Sequence, residues 1–98
     1  MFLVLLTYLA PEEEVLPLRP AHYEFVDKLF AEGILLLGGR RVPATGGFML
    51  AGEVGRELLA DRLAADPYLV AGLVTHEIVE LMPTRARPEL AAAIGLEL

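Results

Sequence analysis

Apolar residues fall in short blocks along this chain, and the blocks differ in period. Residues 2–9 are apolar apart from Thr7, and Ala10-Pro11 with three glutamates follow them, which predicts a buried β-strand. Leu16-Pro17-Leu18-Arg19-Pro20 reads as a turn, with Pro20 suited to open a helix. Beyond it Phe25, Val26, Leu29 and Phe30 recur at helical spacing, and the amphipathic helix they predict stops at Gly33. Residues 34–37 form a second buried strand running into Gly38-Gly39. Residues 40–47 carry the turn chemistry of a hairpin loop, and residues 48–54 a third strand. A second helix is predicted over residues 55–65, with Leu58, Leu59, Arg62 and Leu63 on its inner edge. It ends at Asp66-Pro67, because the residue before a proline is pushed away from the helical region. After a short turn or helix over 67–71, residues 73–82 read as a fourth strand stopped by Pro83. The tail, 84–98, holds a short helix around 89–94.

The order β-α-β-β-α-β is the ferredoxin-like split arrangement, an α+β fold in one domain over residues 1–98, with its core in 2–82. In such a sheet the helices cover a single face, so the strands should alternate apolar and polar. The first strand does not alternate: Phe2, Val4, Leu6 and Tyr8 lie on one side and Leu3, Leu5, Thr7 and Leu9 on the other. The second has Leu35 and Leu37 opposite Ile34 and Leu36. Both faces need cover and one chain supplies one layer of helices. The pattern therefore predicts a homodimer, or a higher homo-oligomer, packed sheet to sheet.

Composition supports that expectation. Apolar residues make up 55% of the 98, and the mean hydropathy of +0.52 is high for so small a soluble chain. Fourteen acids against eight bases give a net charge of −6, which counts against nucleic acid or an anionic membrane as partner. No base precedes the amino-terminal apolar run and no small-residue cleavage site follows it, so it reads as a strand of a cytoplasmic protein. The absence of cysteine excludes disulfides, thiol nucleophiles and thiolate metal sites, and the absence of serine excludes a serine nucleophile.

The candidate chemistry rests on few residues. His22 continues the buried stripe of the first helix, either as a core histidine satisfied by one partner or as a general base, which needs a carboxylate to orient its second nitrogen. Asp66 is placed to cap the turn that Pro67 opens, and Tyr68 adds a hydroxyl to an aromatic body. His76 and Glu77 are neighbours in a strand and point to opposite faces. They read as edge-exposed or hydrogen-bonded groups rather than as metal ligands. Phosphate-loop and dinucleotide spacings are missing, so neither metal nor cofactor is expected.

The segments Leu18-Arg19-Pro20-Ala21-His22, Gly38-Gly39 and Gly46-Gly47-Phe48-Met49-Leu50 resemble the YCII-related family. The most specific stretch is Ala65-Asp66-Pro67-Tyr68-Leu69-Val70-Ala71-Gly72-Leu73, and the resemblance runs from residue 2 to about 82. It implies a dimeric α+β barrel of two ferredoxin-like units and a pocket holding a His–Asp pair, which here are His22 and Asp66. It also implies a basic position at Arg19, read as a contact for substrate charge, with Tyr68 lining the pocket or donating a hydrogen bond. The family's characterised relatives include small lyases that eliminate halide, and its isomerase-like cousins move protons without a cofactor. Two stretches depart from the family pattern: Arg40-Arg41 stand where Gly-Pro is common after the second strand, and the tail carries Arg85 and Arg87 in place of a short aromatic ending. Those four arginines are either solvated loop charges or carboxylate-recognition groups. The resemblance implies a cofactor-free lyase or isomerase acting on a small anionic organic molecule. The alternative is a non-catalytic ligand-binding or accessory module in which His22 and Asp66 only hold the pocket together.

Overall fold

The computed structural model describes residues 1–97; Leu98, the end of the predicted tail, lies outside the described residues. The elements are β1 (Phe2–Tyr8), α1 (Glu12–Val15), a 3-10 turn (Leu16–Leu18), α2 (Arg19–Ala31), β2 (Leu35–Arg40), β3 (Gly46–Ala51), α3 (Arg56–Leu63), α4 (Pro67–Val70), β4 (Val74–Glu80) and α5 (Pro88–Ile94). The four strands form one antiparallel sheet in the order β2-β3-β1-β4, the ferredoxin-like arrangement. Its helix-facing side carries Phe2, Val4 and Leu6 of β1, which pack with Leu29 of α2 and with Leu59 and Leu63 of α3.

Three expectations are corrected. The stretch from Leu16 to Pro20, expected as a turn, is helical: Leu16–Leu18 follow α1 as a 3-10 segment and Arg19-Pro20 open α2, while Val15 just before them is fully buried and fixes α1 on the core. Residues 38–40 and 46–47 belong to β2 and β3, so the hairpin loop is shorter than its glycines suggested. Those glycines serve close backbone approach inside the sheet: a Cβ on Gly46 would stand 1.8 Å from the Leu6 carbonyl oxygen, and one on Gly47 would stand 2.9 Å from that of Gly39. In α3 only Leu59 and Leu63 reach the core. Leu58 is exposed, and Arg62 instead crosses to Glu32 at the end of α2.

The opposite face of the sheet is also apolar. Leu3 of β1 lies beside Leu50 of β3 and Val79 of β4, Leu37 of β2 lies beside Leu50, and Leu37 is 53% exposed. Among the described residues no helix is long and apolar enough to cross a membrane.

Candidate active site

Two local structures bring the site together. Pro20 opens α2 with its ring in the first turn, where no backbone N–H is required, and that turn carries Arg19 and His22. The second is α4, capped by Asp66, whose Oδ1 accepts from the Tyr68 backbone N–H at 3.0 Å. Gly72, with φ of 73°, then reverses the chain into β4 and returns His76 toward Asp66. Asp66 is fully buried, which demands a partner for each oxygen.

Histidines supply those partners from two directions. His22 Nδ1 donates to Asp66 Oδ1 at 2.8 Å, and His76 Nε2 donates to Asp66 Oδ2 at 2.9 Å. The His22 ring stacks on Tyr68 with centroids 4.0 Å apart and planes 8° from parallel. The Tyr68 hydroxyl accepts from Arg19 Nε at 3.3 Å, and Arg19 also stands 3.5 Å from Glu12.

The electrostatics follow from these contacts. Burial pushes the Asp66 carboxyl up, yet the hydrogen bonds from His22 and His76, the charge of His22 and the Tyr68 N–H outweigh it and hold the group at about 2. Asp66 is therefore a carboxylate at neutral pH and can only accept, so the facing nitrogens of both histidines carry hydrogens. In a neutral His22 ring the lone pair then sits on Nε2, which has no partner among the described residues. Burial raises the Tyr68 phenol, against the lowering effect of Arg19, and the hydrogen bond with Tyr68 raises the Arg19 guanidinium.

His22, Tyr68, Arg19 and Arg40 line a cavity of about 270 Å³ between α2 and the sheet, with Gly38 and Gly47 on its floor. The structure thus gathers His22, Asp66, Arg19 and Tyr68 around one cavity, with Asp66 behind the wall. Arg41 turns away to Thr7 Oγ1 and the Leu6 carbonyl, and Arg85 donates to the carbonyl of Thr84. Glu77 is exposed. No group of three or more His, Asp or Glu side chains is placed to hold a metal ion among the described residues, because both histidines point their facing nitrogens at Asp66.

His76 is the member that sequence reasoning did not connect to the site. Its signal lay in the two-residue period of β4, where Val74, His76 and Ile78 share one side of the strand.

The depressed Asp66 carboxyl makes a pH prediction. A folded-state value of about 2 against an ordinary 3.8 stabilises the fold above the ordinary value, and that contribution disappears as pH falls through about 2. A loss of ~2 kcal/mol is expected across that window, and Asp66→Asn should flatten it. Denaturant unfolding at a series of acidic pH values measures both slopes, and equal slopes would remove Asp66 as their source.

A family model described as the YCII-related domain matches residues 1–83. Among solved structures, 5-chloro-2-hydroxyhydroquinone dehydrochlorinase from Burkholderia phenoliruptrix AC1100, in complex with 2,5-dihydroxybenzoquinone, superposes with a TM-score of 0.67 at 17% identity. The match covers 84% of this chain and 94% of that one, a likeness of fold. No curated protein matches the chain by sequence.

Proposed function

This chain belongs to the YCII-related domain family, and from that premise we propose that its cavity performs cofactor-free proton abstraction on a small anionic organic molecule, with elimination or isomerisation as the outcome. The observation that carries the reading is His22, whose Nδ1 is fastened to a buried carboxylate while its ring lines the cavity. Nε2 takes a proton from carbon. The electron pair of the broken C–H bond forms a C=C bond as a leaving group departs with its own pair, or the proton returns at a neighbouring carbon. Asp66 stabilises the imidazolium that results, as an orienting carboxylate does in general-base catalysis. Arg19 and the Tyr68 hydroxyl, adjoining His22, face the negative charge that develops on the substrate. A structural neighbour that is a dehydrochlorinase with a bound ring-sized quinone supports both the reaction type and the ligand size.

The protein works as a cytoplasmic homodimer in this reading, joined through the apolar sheet face that carries Leu3, Leu37 and Leu50. Proton exchange tests the chemistry directly. Chlorinated hydroquinones and ring-sized unsaturated acids incubated in D2O should exchange an acidic C–H or release halide with wild-type protein. His22→Ala should return both to background while still folding. Ligand binding without exchange in wild type would instead make the protein a binding module, and exchange that survives His22→Ala would remove His22 as the base.

A further inference from the structure

We propose that Arg40 is the anchor for a carboxylate on the ligand, so that the cavity takes flat, single-ring-sized carboxylic acids with their reacting carbon at His22. This deepens the functional reading above and rests on it for the role of His22.

The sheet register supports the placement. Arg40 of β2 is opposite Gly47 of β3, Gly47 is opposite Leu6 of β1, and Leu6 is opposite His76 of β4. These four positions form a single cross-strand row. It lies on the helix-facing side, because Leu6 is buried in the core there and His76 meets Asp66 there. Three inter-strand steps of about 4.8 Å separate Arg40 from His76, a span of roughly 14 Å. Within that row Gly47 contributes no side chain, and Gly38, two residues before Arg40 on the same side of β2, contributes none either. The result is an open trough with a guanidinium at one end and the His22–Asp66–His76 group at the other.

Charge singles out Arg40 within the trough. The chain carries fourteen acids, yet no Asp or Glu lines the cavity; the guanidinium groups on its walls are those of Arg19 and Arg40. Arg19 is engaged by Tyr68 and Glu12, and Arg41 by Thr7 and the Leu6 carbonyl. Arg40 is exposed and holds no ion pair among the described residues. A guanidinium offers the paired donors that a carboxylate accepts bidentately, which an isolated ammonium does not. Tyr8, Tyr23 and Phe30 complete walls suited to a planar ring. A volume of about 270 Å³ limits the ligand to about one ring.

Isothermal titration calorimetry with benzoate, and with benzamide as its neutral isostere, tests the anchor on wild type, Arg40→Gln, Arg41→Gln and His22→Ala. Benzoate should bind wild type at least about tenfold more tightly than benzamide, the size expected of a charge-assisted bidentate contact. Arg40→Gln should erase that preference, whereas Arg41→Gln and His22→Ala should keep it. Absence of benzoate binding, equal binding of the two probes, or a preference that survives Arg40→Gln overturns the anchor. If the anchor fails while His22-dependent proton exchange persists, the functional reading stands without it. If the preference depends on Arg40 and no acid exchanges its protons, the anchor stands and the cavity only binds.

Discussion

Asp66→Ala is expected to destabilise the fold by about 3–5 kcal/mol, the usual cost of removing one member of a buried charged group. The carboxylate accepts three hydrogen bonds, from His22, His76 and the Tyr68 backbone, and alanine removes the acceptor from all three donors. At roughly 4–8 °C per kcal/mol for a domain of this size, the Tm should fall by at least ~12 °C. Asp66→Asn keeps an oxygen for the Tyr68 N–H and His22, and His76 can change tautomer to accept from the new amide, so its loss should be smaller. Thermal unfolding followed by circular dichroism gives the comparison. A Tm for Asp66→Ala within a degree or two of wild type would mean that the three contacts do not hold the fold together.

Leu3→Asp should split the proposed homodimer. Leu3 sits mid-sheet on the face away from the helices, between Leu50 and Val79, so a carboxylate there would be buried on association with nothing to neutralise it. A penalty of several kcal/mol raises the dissociation constant by a factor on the order of 10³. Because Leu3 is outside the core cluster that contains Phe2, Val4 and Leu6, the monomer should stay folded. Light scattering at micromolar concentration reads the change in mass, with circular dichroism as the check on folding. A wild type that is already monomeric under those conditions would remove the sheet-to-sheet assembly altogether.

Periodicity made the architecture legible, because each core strand and helix carries its own apolar rhythm. The helical stripe of His22, Phe25, Val26 and Leu29 reappears as a core-facing row, and the continuous apolar run of β1 divides into a core-facing row of Phe2, Val4 and Leu6 and an apolar row on the opposite face. His22 and Asp66 were legible as a pair only through the family resemblance, since contact between residues 44 apart depends on how α2 and α4 meet. His76 escaped for a different reason. A histidine in an edge strand is ordinarily solvated, and the one group that gives it a buried role arrives from α4, outside the strand's own pattern. The glycines misled because the same residue serves two purposes. Gly46 and Gly47 permit a turn, but here they let three strands approach within a distance that no side chain allows.

The two floor glycines of the cavity differ in how freely they can change over evolutionary time. A Cβ at Gly38 would meet its nearest neighbour, the Phe48 carbonyl oxygen, at 3.5 Å, an ordinary contact, whereas at Gly47 it would press on backbone at 2.9 Å. A lineage can therefore shorten this cavity by single substitutions at position 38 without disturbing the sheet, while position 47 is closed to that route. The bulk of one side chain in β2 would then set the size of the ligand that the cavity admits, through a residue that takes no part in the proposed chemistry.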